Sequence, residues 1–389
     1  MIDNVRVDRL SLLVEDAGGW LRFDGAESLL VCETPAQVPG LLAQLDAACA
    51  RGRWVAGFLA YEAAQGLGLT VRPGADDGLP LACFGVYSDP REERPPESPG
   101  TDFTTDEWRP RVGPDEYAHS IRAIQDAIAR GDTYQVNFTF PLVAACTGDP
   151  RSLFARLVTA QGAGHAAYAD LGRYVIVSAS PELFFTLDGE RIVAKPMKGT
   201  ASRGRTPPDD DRAAAALVAS PKERAENVMI ADMLRNDLGR VARFGSVRVP
   251  ALFEVERYPT VLQMVSTVTA DTRATLGEIL TALFPCASVT GAPKRRTMEI
   301  IADLEPAPRG IYTGAIGWMG PQRRGRFSVA IRTAVVDRQR GLATYGVGSG
   351  IVADSRAEAE YAECLLKARV LAESQPAPCV APPPARFVP

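Results

Sequence analysis

Histidine is nearly missing from this chain of 389 residues, which has only His119 and His165. That excludes polyhistidine metal centres and leaves little room for Ser-His-Asp or Cys-His catalysis. Lysine is almost as scarce. There are five (Lys195, Lys198, Lys222, Lys294, Lys367), and arginine supplies the rest of the 43 basic residues. Where arginine serves wherever it can, a retained lysine points to a position that needs a compact ammonium. The seven cysteines are dispersed, with no CxxC pair, which argues against a disulfide framework and a structural zinc site. No apolar run approaches the roughly 18 residues of a bilayer span, and MIDNVRVDRL lacks the basic-then-apolar pattern of a signal peptide. No membrane association and a cytoplasmic location are therefore expected. The net charge of −4 gives no footprint for nucleic acid. What remains, 46% hydrophobic and 23% charged residues, is an ordinary globular composition, with length enough for a large core.

Residues 1–105 alternate short β-like runs (LSLLVED, ESLLVCE, WVAGFLAYEA) with Gly/Pro turns and one helical stretch, VPGLLAQLDAACARG. SDPREERPPESPGTDFTTDE reads as an exposed Pro-rich loop. Residues 106–373 open with the amphipathic helix PDEYAHSIRAIQDAIARGD, stopped at Gly131. The strand-like runs TYQVNFTFPLVAA and YVIVSASPELFFTLDGERIVAKP follow, then a long helix from about Pro221 to Arg243. Arg326 to Val336, Leu342 to Val347 and Ile351 to Ala353 read as further strands, and SRAEAEYAECLLKARVLAES as a last helix. Residues 374–389 form a Pro-rich tail expected to be disordered. Clustered strands and long helices without regular βαβ alternation argue an α+β fold.

Three constellations carry chemistry. Glu223 and Glu226, in SPKERAENVMIADMLRNDLGR, are three residues apart on a helix and share a face; Glu360 and Glu363 repeat the spacing in AEAEYAECLLKA. Two carboxylate pairs suit Mg²⁺, a hard cation that takes oxygen ligands, and they equally suit two solvated helix faces. In SPELFF and AKPMKGTASRG, Glu182 follows a Ser-Pro turn where burial would make it a proton donor near neutrality. Lys198 sits in a KGT turn, where desolvation would free its amine as a nucleophile; an anion clamp or a surface charge is the plainer alternative. Finally, Thr290-Gly291 leads into a helix start suited to a carboxylate. Gly346, Gly348 and Gly350 let backbone approach a flat ligand. Arg332, within the apolar run SVAIRTAVV, needs a partner, which a substrate carboxylate or an internal acid would equally supply.

Together and in this order, GDTYQVNFT, SASPELF, KPMKGTASRG, SPKERAENVMIADMLRNDLGR, FPCASVTGAPKRRTMEII, GIYTGAIGW, FSVAIRTAVV and YGVGSGIVADSRAEAEYAECLLKA resemble the chorismate-utilising enzymes. The resemblance spans residues 115–372. It implies an anthranilate synthase component I-like fold, antiparallel sheets packed as a sandwich with flanking helices. It also implies roles. Glu226 and Glu363 would bind Mg²⁺, with Glu223 and Glu360 beside them. Tyr312 and Arg332 would hold the enolpyruvyl carboxylate of chorismate. Gln135, Thr200, Thr290, Gly291, Gly348, Ser349, Gly350 and Lys367 would complete the substrate site. Gln135 stands where isochorismate and salicylate synthases carry a lysine base, which disfavours both activities. The lysine of KGT, where anthranilate synthases read AGT, resembles the aminodeoxychorismate synthases. There it implies attack by Lys198 at C2 while Glu182 protonates the departing C4 hydroxyl, followed by entry of ammonia at C4 towards 4-aminobenzoate and folate. Gln263, where anthranilate synthases carry a histidine, points the same way, although relatives often place a histidine at the position of Leu262. Ammonia would come from a glutamine amidotransferase partner. Anthranilate synthesis, or a catalytically silent paralogue that binds such a partner, is the alternative.

Overall fold

The computed structural model describes residues 7–373 apart from 17–18, 75–77, 101, 163 and 260; the Pro-rich tail lies outside the described residues. Among them, two antiparallel sheets of eleven and ten strands form the centre. Alternation along each strand decides which side a residue serves. Leu12, Phe23 and Ile176 of the first sheet meet Phe58, Ile316 and Trp318 of the second in the core between them. The outer face of the second sheet packs against the helices Val38–Ala50, Pro221–Gly239 and Leu276–Leu283. The outer face of the first packs against Pro114–Ala129, Pro150–Gln161 and Ala357–Lys367. The order is helix, sheet, sheet, helix, which is the expected α+β sandwich.

The N-terminal third is woven into both sheets. Ser11–Asp16 pairs with His165–Asp170, and Trp54–Leu59 pairs with Ala315–Gly320. The Pro-rich segment expected as a loop contributes two short edge strands. Arg91–Glu93 extends the first sheet beside Gly19–Phe23, and Phe103–Thr105 pairs with the end of Gln135–Gly148. Edge positions tolerate proline because one side of the strand needs no ladder donor. The run read as one strand from Arg326 to Val336 is two. Arg324–Val329 belongs to the second sheet and Thr333–Asp337 to the first, so the chain changes layers between them. Arg332 stands at that crossing with φ +51 and not inside a strand. The last helix is also split, into Ala357–Lys367 and Arg369–Glu373. Among the described residues no helix is long and apolar enough to cross a membrane.

One buried cation joins these parts. The Arg309 side chain is 1% exposed, and Nε and Nη2 grip both oxygens of Glu305 at 2.8 and 2.7 Å. Its other hydrogen bonds reach the carbonyls of Val289 and Asn137 and the Thr313 hydroxyl. Its backbone N–H and that of Gly310 donate to the buried carboxylate of Glu62, 2.7 and 3.0 Å away. Removing one partner of such a pair leaves the other charge buried and unpaired, at a cost of about 3–5 kcal/mol. Arg309→Met is therefore expected to lower unfolding free energy by roughly that amount, read from the denaturant midpoint at constant m-value.

Candidate active site

The site draws on one helix from each outer layer, Pro221–Gly239 and Ala357–Lys367, and on the strands Met197–Ser202 and Leu342–Ile351. Ser220 caps the helix Pro221–Gly239 by accepting from the Glu223 N–H, and Pro221 at its first position starts the turn that aims Glu223 and Glu226 the same way. Both carboxyls are pushed above the usual range. Burial is the largest cause, and the acids of Ala357–Lys367 add to it: Glu363 and Glu360 act on Glu223, and Glu360 acts on Glu226, alongside Glu223 itself. The two pairs are therefore close enough to feel one another's charge. Glu360 is buried and accepts from Ser355 Oγ at 2.8 Å. Burial disfavours ionisation of Glu363 too, but the Lys367 ammonium 2.8 Å away holds its carboxyl below the ordinary value. Among the described residues no three acids, cysteines or histidines form a ready-made cation cage. Mutually repelling carboxylates in a half-buried cleft nonetheless fit a hard cation that keeps waters and a substrate carboxylate in its shell.

Lys198 approaches this cleft from the strand Met197–Ser202. Among the described residues its ammonium has no ion pair within 4.0 Å and no hydrogen bond. Burial pushes its pKa down; Glu226 opposes that, the Lys367 cation adds to it, and Glu182 and Glu363 oppose it more weakly. Glu182 lies in the turn between Tyr174–Ser180 and Leu183–Asp188, 3% exposed, and among the described residues its Oε1 has no hydrogen-bond partner. Burial lifts its carboxyl to about 7, against the pull of the Ser288 hydroxyl and the Lys198 ammonium. An acid whose pKa burial raises thus stands near an amine with no ion pair among the described residues.

The floor is the strand Leu342–Ile351. A Cβ on Gly346 would fall 2.1 Å from the Tyr312 ring, and one on Gly350 would fall 2.4 Å from Gln135 Nε2 and 3.1 Å from Lys198 Nζ. Tyr312 therefore lies on one end of the glycine row and Lys198 with Gln135 on the other, about 13 Å apart at strand rise. Between them the Gly348 carbonyl accepts from Lys367 Nζ at 2.8 Å. Gln135 is 1% exposed; its Nε2 reaches Glu226 at 3.5 Å and among the described residues its Oε1 has no partner.

Other expected residues are differently employed. Ser349 turns its hydroxyl away from the floor to Tyr117, 3.0 Å off in the core. Thr290 spends its hydroxyl on the carbonyls of Cys286 and Ala287, and Gly291 allows close pairing with Gln135 and Val136. The Thr200 hydroxyl donates to Gln263, and Arg332 donates to the Lys367 carbonyl. Sequence reasoning misses Ser288 and Arg309, since neither lies in a spacing pattern that marks its partner.

A family model described as chorismate binding enzyme matches residues 26–373. The chain belongs to the chorismate-binding enzyme family. The aminodeoxychorismate synthase component 1 of Escherichia coli (strain K12) is 42% identical over 269 residues, 68% of this chain and 59% of that relative. The anthranilate synthase component 1 1 of Haloarcula marismortui is 37% identical over 376 residues, 91% of this chain and 74% of that one. This chorismate-binding enzyme therefore spans about three fifths of the length of the first relative. The solved anthranilate synthase component I from Streptococcus pneumoniae superposes with TM-score 0.76 at 23% identity, over 94% of this chain and 92% of that chain, and shares the fold.

Gly199, next to Lys198, has φ +96, and an added Cβ would meet Glu223 Oε2 at 3.1 Å and Met264 Cβ at 3.2 Å. Gly199→Ala is expected to destabilise the protein by about 1–3 kcal/mol, checked by thermal or denaturant unfolding.

Proposed function

We propose that this chorismate-binding enzyme aminates chorismate at C4, giving 4-amino-4-deoxychorismate for 4-aminobenzoate synthesis. The supporting observation is that Lys198, half-buried and with no ion pair among the described residues, lies within electrostatic reach of buried Glu182, whose carboxyl is pushed up to about 7. The Lys198 amine attacks C2, the ring double bonds shift, and the C4–oxygen bond breaks as Glu182 gives its proton, so that water leaves. Ammonia then forms a bond at C4, the double bonds shift back, and the C2–nitrogen bond to Lys198 breaks. Deprotonated Glu182 is placed to recover a proton from the incoming ammonia. Gln135 offers an amide where activation of water at C2 would need a base, which supports amination over hydroxyl transfer.

Glu226 and Glu363 would hold Mg²⁺, with Glu223 and Glu360 beside them; when bound, the ion supplies positive charge for the ring carboxylate and for the departing C4 oxygen. Tyr312 and Arg332 fit the enolpyruvyl carboxylate, and the glycine row admits the ring. A glutamine amidotransferase would deliver the ammonia, in keeping with the component 1 named in the relatives. Anthranilate synthesis is the second reading, carried by the Haloarcula marismortui relative matched over 91% of the chain.

Purified protein with chorismate, Mg²⁺ and concentrated ammonium at alkaline pH is expected to yield a 4-amino product that a lyase converts to 4-aminobenzoate, identified by mass. Lys198→Ala should lower that turnover by roughly two orders of magnitude or more. Anthranilate as product, or full rate in Lys198→Ala, would overturn the reading; absence of both turnover and chorismate binding would indicate a silent paralogue. Glu226→Gln is expected to raise the Mg²⁺ concentration needed for half-maximal rate by about tenfold. An unchanged metal titration would remove Glu226 from the ion's shell.

A further inference from the structure

The strand that presents Lys198 does not run smoothly beside its neighbour. Met197 pairs with Val265 and Thr200 with Gln263, so Lys198 and Gly199 together oppose the single residue Met264. That is a β-bulge, and Gly199 supplies its positive φ. A bulge takes its residues out of the ladder, so the carbonyls there must find other donors.

Two side-chain amides provide them. Asn227 Nδ2 donates to the Lys198 carbonyl at 3.1 Å and reaches that of Met264 at 3.4 Å. Gln263 Nε2 donates to the Gly199 carbonyl at 2.9 Å. Each amide is in turn oriented by a hydroxyl. Ser266 donates to Asn227 Oδ1, and Thr200 donates to Gln263 Oε1 at 3.1 Å. An amide suits both places because one end must donate to a carbonyl and the other must accept from a hydroxyl; a carboxylate could do only the second. Asn227 is 1% exposed and directly follows Glu226, so it ties the bulge to the helix that carries the carboxylate facing Lys198. Leu262, beside Gln263, points the other way into a small apolar cluster with Ala214, Leu217 and Met264. At this place the chain therefore offers the bulge an amide, with a hydrocarbon behind it.

We infer that Asn227 and Gln263 are positioning residues, two amides that hold the bulge beneath Lys198 and so set where its amine stands relative to Glu226, Glu182 and the glycine floor. The inference rests on the nucleophilic reading of Lys198. Several charged groups act on that amine, among them Glu226, Lys367, Glu182, Glu363 and Glu223, so a small displacement of the bulge changes its surroundings from several sides.

Gln263→Met keeps the side-chain volume and removes both donor and acceptor. Asn227→Asp keeps the contact with Ser266 and removes the donor to Lys198. Gln263 is only half-buried, so its variant serves even where Asn227→Asp does not fold. With saturating ammonium and Mg²⁺, each folded variant is expected to lose on the order of tenfold in kcat, with KM for chorismate within about twofold of the parent. The second readout needs no turnover. Trinitrobenzenesulfonate labels Lys198 and the exposed Lys222, and the ratio of their rates, measured on peptides by mass, should shift about threefold or more in Gln263→Met at unchanged melting temperature. If Gln263→Met keeps both the parent's kcat and its labelling ratio, or if kcat and KM fall only together with melting temperature, the positioning role is wrong. If the parent fails to aminate chorismate while the labelling ratio still shifts in Gln263→Met, the proposed function falls and the positioning role stands.

Discussion

The buried guanidinium of Arg309 is the constraint on which the rest of the site hangs. A charge with 1% side-chain exposure survives only with a complete set of acceptors. Those acceptors come from the start of the Gln135–Gly148 strand, the turn at Val289, Glu305 and Thr313. The same residue's backbone is held by Glu62, 247 positions earlier in the chain. Satisfying one cation thus fixes the N-terminal third, the Gln135 strand and the Thr290 turn against one another.

Around that anchor the cleft is built as an electrostatic imbalance. Glu223, Glu226 and Glu360 press on one another, which suits a divalent cation, while Lys367 compensates Glu363 alone. Lys198 receives attraction from several carboxylates but pairs with none, so burial still pushes its pKa down. Glu182 feels the Lys198 cation too, but its burial outweighs that pull and lifts its carboxyl to about 7. Burial acts on acid and amine in opposite electrical senses: it raises the pKa of Glu182 and lowers that of Lys198.

Much of this cleft is legible in the order and spacing of residues. The i, i+3 spacing of Glu223 with Glu226 and of Glu360 with Glu363 is a property of any helix, and it places each pair on one face. The alternating Gly346, Gly348 and Gly350 announce close backbone approach, and Tyr312 and Lys198 occupy that space. Arg332 misleads because its apolar neighbours suggest one strand, whereas the chain changes sheets there and bends through φ +51. Ser349 and Thr290 lie in the right segments, yet their hydroxyls serve the core and a turn. Strand parity and turn geometry decide such orientations, and neither follows from composition. The Pro-rich segment near residue 100 reads as loop because its strands exist only through partners far away in the chain.

By itself, then, the sequence determined the kinds of chemistry available. Two histidines leave little room for histidine-based catalysis, and five lysines leave few positions, Lys198 among them, where an ammonium was retained. The carboxylate spacings put each acid pair on one helix face, and the ordered motifs identify the family. Tertiary structure alone decided which of these groups act together. The bulge at Lys198 and Gly199, its two amide clamps and the Arg309 knot all depend on pairings between residues tens to hundreds of positions apart. The physical reason is that a pKa, an unpaired amine or a satisfied carbonyl is a property of surroundings, and surroundings exist only once distant segments have packed.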